Sequence, residues 1–159
     1  MTFRSVILMV LLLAVLVTGG WAFFAYQRDI SASRERLTDQ SKVIETKSGP
    51  IEYAEAGEGP AILVVHGAGG GFDQGLELLA PLAKRGFRLI AVSRFGYLRT
   101  PFPADVSPAA QADAHAGLLD ALGIERAAIF GVSAGGPSAM QFAIRHRQRS
   151  AALILMAPM

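Results

Sequence analysis

Hydrophobic and polar positions divide the chain into three stretches. Between Arg4 and Arg28, residues 5–27 carry no formal charge, and positions 6–17 are drawn only from Val, Ile, Leu, Met and Ala. As a helix, residues 5–27 reach roughly 34 Å, enough to cross a hydrocarbon core of about 30 Å. Trp21, Phe23, Phe24 and Tyr26 gather at the far end, where amphipathic rings favour a membrane–water interface. The pattern then turns polar and mixed in charge over 28–42, which predicts a solvated stalk, helical or extended. From Val43 onward, short apolar runs alternate with segments of helical period.

That last stretch predicts an ordered succession of elements. Runs 43–46 and 51–54 flank Ser48-Gly49-Pro50 and form a hairpin pattern. Runs 61–65, 89–92, 127–132 and 151–156 are continuously apolar, as strands buried on both faces are. Between the first two of these, 72–85 places Leu76, Leu79, Leu82 and Ala83 at helical spacing, with Gly86 just beyond. Ser107-Pro108 supplies an N-cap and a first helical residue for a helix to about 122, stopped by Gly123. A further helix over about 135–146 follows run 127–132. Strand and helix in alternation predict an α/β domain with a mostly parallel sheet of about six strands and right-handed crossovers. Ligands of such a sheet sit at the carboxyl ends of its strands.

The resulting organisation is a short flank at 1–4, a transmembrane signal anchor at 5–27, a stalk at 28–42 and the α/β domain at 43–159. A cleaved signal peptide is the rival reading of the N-terminus, with Arg4 as its charged region and 6–17 as its apolar core. Its small-residue site is poor, Thr18-Gly19-Gly20 being the best candidate, and bulky aromatics follow, which suits an anchor better. Arg28, Arg34, Arg36, Lys42 and Lys47 after the span lean toward a cytoplasmic C-terminal part, but the side of the membrane stays open. Absence of Cys excludes disulfides, thiolate metal sites and Cys nucleophiles. With 15 Lys+Arg against 13 Asp+Glu and no basic run, nothing favours a nucleic-acid partner. No His/Asp/Glu cluster has ligand spacing, so neither a metal nor an organic cofactor is expected.

Two loops at strand ends carry candidate chemistry. Gly131-Val132-Ser133-Ala134-Gly135 sits where run 127–132 meets the next helix. A sharp strand-to-helix turn lifts its central Ser above the sheet, and glycines two before and two after let backbone approach closely. The plainer reading is a Gly-rich turn with an N-cap Ser. The second loop, His66-Gly67-Ala68-Gly69-Gly70-Gly71, follows run 61–65 and has four glycines in five positions, exposing backbone N–H groups. Phe72 occupies the last glycine position of a dinucleotide fingerprint and no Lys follows, so nucleotide binding lacks motif support.

On these residues, the chain after the stalk resembles the α/β-hydrolase fold family. The resemblance rests on the His66-Gly67 loop, on Ser133 in its elbow, and on their separation of 67 residues. Ser93 to Thr100 is similar to that family's D-x-x-G-x-G-x-S loop, with Gly96 kept, Ser93 for the Asp, Leu98 for the second Gly and Thr100 for the Ser. The resemblance implies Ser133 as nucleophile, the N–H groups of Ala68 and Ala134 as oxyanion donors, His66 and Gly67 as supports of the site loop, and a small-molecule acyl substrate. A Ser at the elbow argues against epoxide hydrolase or dehalogenase chemistry, whose relatives place Asp there. Arg94 and Arg99 are candidates to meet an acidic substrate, solvated loop arginines being the plainer reading.

In the family's order the acid and then the His follow the Ser. After Ser133 there is no Asp or Glu, and the one later His, His146, lies about three helical turns away. His115 reads as surface or packing, and His66 as a brace of its loop. The expectation is therefore an N-terminal half of a membrane-anchored serine hydrolase whose acid and base lie outside these residues. The alternatives are a truncated, inactive interaction module, and an anion-binding loop without Ser reactivity.

Overall fold

The computed structural model describes residues 3–158 and divides into two compact units that part between Thr38 and Asp39. The first unit is one helix, α1 (Phe3–Thr38), whose 36 residues span about 54 Å. None of its residues is buried, and its N-terminal part is long and apolar enough to cross a membrane. The helix continues through the polar residues up to Thr38, and Lys42 already opens the first strand, so little of 28–42 is irregular.

In the second unit the chain forms β1 (Lys42–Thr46), β2 (Gly49–Ala56), β3 (Ala61–Val65), α2 (Phe72–Ala83), β4 (Arg88–Val92), α3 (Pro108–Ala121), β5 (Ala127–Val132), α4 (Gly136–Arg145) and β6 (Ser150–Met156). The strands make one six-stranded sheet in the order β1-β2-β4-β3-β5-β6. β1 and β2 form the hairpin and β2 runs antiparallel to β4, whereas β4, β3, β5 and β6 are mutually parallel. The fold is thus the α/β architecture read from the alternation of runs.

Side chains alternate across the sheet. Leu63, Val65, Ile90, Val92 and Ile129 join Ala112, Leu118 and Leu119 of α3 and Phe142 of α4 in one buried cluster. On the other face Val64 and Ala91 meet α2 at Gly75, where an added Cβ would stand 3.0 Å from Val64 Cγ1 and 3.2 Å from Ala91 Cβ. α2 ends earlier than the apolar spacing predicts, as Lys84 and Arg85 turn into Gly86 at φ +86°. Ser107 caps α3, its hydroxyl accepting from Ala110 N–H at 3.2 Å. The expectation of strands buried on both faces fails for β6. Leu153, Ile154 and Met156 stay exposed because β6 is the sheet's edge, flanked by β5 on one side only.

Candidate active site at the strand ends

The order β4-β3-β5 brings three chain segments together at neighbouring carboxyl ends: Ser93 onward, His66 onward and Ser133 onward. Ser133 holds φ +46°, a left-handed conformation that a residue with a Cβ seldom adopts. It opens a single 3₁₀ turn, Ser133–Gly135, from which α4 departs. Both flanking glycines are required by contact. A Cβ on Gly131 would lie 2.6 Å from Ala139 Cβ, and one on Gly135 would lie 2.5 Å from the Val65 carbonyl oxygen and 2.6 Å from that of His66. The elbow is therefore pressed onto the end of β3, with Ser133 partly exposed above it.

The glycine loop meets Ser133 directly. A Cβ on Gly67 would stand 3.3 Å from Ser133 Cβ, so the loop's first glycine faces the serine. Gly67 N–H donates to Gln74 Oε1 at 2.8 Å, while Gly71 N–H donates to Asp73 Oδ1 at 2.9 Å. α2 thus pins both ends of the loop. Ala68 is exposed, and among the described residues its N–H donates to no protein acceptor. Its carbonyl accepts from Tyr97 O–H at 3.2 Å.

A family profile described as alpha/beta hydrolase fold matches residues 60–159, which take in both loops. The chain belongs to the alpha/beta hydrolase fold family. It is 38% identical over 113 residues to a 2-hydroxy-6-oxo-6-phenylhexa-2,4-dienoate hydrolase of Comamonas testosteroni, covering 68% of this chain and 40% of that one. Among solved structures, an alpha/beta hydrolase fold protein from Nakamurella multipartita superposes with a TM-score of 0.72 at 41% identity, over 74% of this chain and 41% of that one. An epoxide hydrolase from an endophytic Streptomyces gives 0.68 at 30% identity, over 72% and 36%. The chain spans about two fifths of the length of these relatives.

The three histidines of this alpha/beta hydrolase fold protein each have another engagement. His66 is fully buried. Arg94 N–H donates to its Nε2 at 2.9 Å, which leaves Nδ1 to carry the proton and donate to Gly67 O at 2.6 Å. Burial lowers its pKa to about 4, so the neutral ring braces the loop with both nitrogens used. His115, also fully buried, is lowered to about 3 by burial first and by the Arg94 charge second. It packs between helices, its Nε2 3.5 Å from Ser138 Oγ, while the Ser138 hydroxyl donates to Gly135 O at 3.2 Å. His146 sits at the far end of α4, 2.8 Å from Asp113 Oδ1. Among the described residues none of the three hydrogen-bonds Ser133.

The segment after β4 departs from the family loop at three positions, and the structure explains two of the departures. Leu98 stands where a glycine is usual and takes φ +49°, the conformation the loop demands there. Ser93 stands where an Asp is usual, and a carboxylate arrives instead from β2. Glu52, 1% exposed, accepts from Ser93 O–H at 2.9 Å, Arg99 N–H at 3.0 Å, Arg99 Nε–H at 2.8 Å and Ser41 O–H at 2.7 Å. Thr100 Oγ1 in turn accepts from Glu52 N–H at 2.9 Å.

Arg99 is therefore committed to Glu52 and Ser41. Glu52, Gln74, Tyr97 and Gln111, whose Oε1 accepts from Phe95 N–H at 2.8 Å, all escaped the reading of motifs. Only Glu52 left a trace, as a lone acid inside the apolar stretch Ile51 to Ala54. Among the described residues, no group of three His, Asp or Glu side chains is placed to hold a metal.

Proposed function

We propose that this protein is a membrane-anchored serine hydrolase that cleaves an ester, thioester or amide of a small molecule through an acyl-enzyme on Ser133. The observation that carries the proposal is the strained Ser133, held at φ +46° by close backbone contacts and facing Gly67. A serine hydroxyl at the start of a helix and beside a glycine loop is poised to attack a carbonyl carbon. The carbonyl oxygen would then take two N–H donors, from Ala68 and Ala134, as negative charge develops; such donors contribute about 3–4 kcal/mol each in comparable sites. Gln74 and Asp73 support this assignment by fixing the loop that presents Ala68. Serine rather than aspartate at the elbow favours acyl transfer over epoxide opening. The apolar part of α1, residues 5–27, would hold the unit at a membrane.

The base that takes the Ser133 proton, and the acid that orients it, would come from outside these 159 residues, because His66, His115 and His146 are all engaged elsewhere. The same engagements favour a second reading for residues 1–159 by themselves, a module that binds an acyl compound without turning it over.

Both readings are tested on the natural gene product extracted from its membranes in neutral detergent. Hydrolysis of p-nitrophenyl butyrate and labelling by a fluorophosphonate are expected, with Ser133→Ala lowering kcat by about 10⁴-fold or more. Equal turnover in that variant would overturn the nucleophile assignment. Binding of the ester without turnover would favour the module.

A further inference from the structure

Arg94 lies two residues past the end of β4, His66 one past β3 and Ser133 one past β5, at three adjacent strand ends. Arg94 N–H bonds to His66, and Gly67 abuts Ser133, so the three are joined by contact. Two strand spacings separate the Arg94 and Ser133 backbones, roughly 10 Å. The guanidinium carbon stands 5.4 Å from the centre of the Tyr97 ring, and Tyr97 is the residue whose hydroxyl holds the Ala68 carbonyl.

Two of the three guanidinium nitrogens, Nε and Nη1, are enclosed and donate to no acceptor among the described residues. Among the described residues no carboxylate pairs with Arg94 either. Glu52, a carboxylate of the same loop system, is taken up by Arg99, Ser93 and Ser41. An arginine keeps its charge at any ordinary pH, so this is a positive centre that the described residues leave uncompensated. Its field is felt by both neighbouring imidazoles, adding to the burial that keeps His66 and His115 neutral. Nη2 is the nitrogen left unenclosed.

We infer that Arg94 is the anion anchor of the acyl site and takes a carboxylate of the substrate, whose scissile carbonyl lies at Ser133. The second half of that statement rests on the nucleophile assignment; the first half does not. A carboxylate suits the site better than a phosphate dianion, because one guanidinium supplies one charge and the other arginine of the loop is committed to Glu52. Nη2 of Arg94 offers a carboxylate oxygen one charge-assisted hydrogen bond, and the Tyr97 ring beside it offers an apolar face to the carbons attached. The substrate class is then a carboxylic acid that also bears an ester, thioester or amide.

The test is calorimetric titration of the full 159-residue chain in neutral detergent with benzoate, benzamide and benzyl alcohol. Benzoate should bind about tenfold or more tightly than its two neutral analogues. Arg94→Gln should erase that preference and leave benzamide binding unchanged, with Arg94→Lys between the two. Arg147→Gln, which removes an exposed charge in the turn after α4, should change nothing.

Equal binding of benzoate and benzamide, no binding of benzoate, or wild-type benzoate affinity in Arg94→Gln would each overturn the anchor. Should Arg94→Gln not fold, the benzoate-to-benzamide ratio in the wild type and in Arg94→Lys decides the question. Ser133→Ala should keep the preference for benzoate. If charge-selective binding holds while that same variant of the natural gene product still turns over esters, the anchor stands and the nucleophile assignment falls.

Discussion

Ser133 and Leu98 both place a side chain in left-handed backbone, which costs about 1–2 kcal/mol at each position. At Ser133 that strain is part of the elbow. At Leu98 the loop imposes it, and Leu98→Gly should raise stability by about 1 kcal/mol in urea unfolding, offset in part by loss of the contact its side chain makes near Gly71. No gain would mean that the leucine side chain offsets its own strain. Gly135 poses the opposite case. A methyl there meets the carbonyl oxygens of Val65 and His66 at 2.5 and 2.6 Å, and backbone held in a parallel sheet yields little. Gly135→Ala should therefore lose about 3 kcal/mol or more, whereas Gly123→Ala, at φ +65° in open space, should lose about 1 kcal/mol. The two urea midpoints separate steric exclusion from backbone preference.

At the scale of elements, the site is a junction of loops that the helices and β2 hold in place. α2 holds the glycine loop through Gln74 and Asp73, and β2 holds the loop after β4 through Glu52. Glu52 is buried and carries the charge that balances Arg99, so Glu52→Gln leaves a partly enclosed guanidinium without its counter-charge. That variant should be destabilised by about 3 kcal/mol, with faster amide exchange at Arg99 and Phe72. Unchanged exchange at those amides would show that the loop is held by other contacts. Ser107→Ala should cost only about 1 kcal/mol and affect the first turn of α3 alone, because one backbone donor, Ala110 N–H, loses its acceptor.

For the whole α/β unit, the two buried histidines link stability to pH. Their native pKa values, about 4 for His66 and about 3 for His115, lie below the unfolded value of 6.5. Between those limits the unfolded chain binds protons that the native chain does not. The stabilisation is fully present above 6.5 and is lost as pH falls toward the native values, an effect on the order of several kcal/mol for the pair. The urea midpoint should thus drop between about pH 7 and about pH 4.5, and His115→Leu should flatten that drop. An equal drop in the variant would point to other groups.

Much of this molecule was determined locally and so could be read from the chain. Apolar runs of strand length, the Ser107-Pro108 start of α3 and the glycines around Ser133 depend on nearest neighbours, and each predicted its element or turn. The separation of His66 from Ser133 also carried information, because one βα unit between two parallel strands brings their ends together. What tertiary structure decided are matters of partnership. That His66 Nε2 accepts from Arg94 N–H, that Glu52 supplies from β2 the carboxylate missing at Ser93, and that Arg99 is tied to Ser41, all depend on residues 28 to 58 positions apart. Hydrogen bonds of that span leave no periodicity in a sequence. They exist only once the sheet order β4-β3-β5 has set those loops side by side.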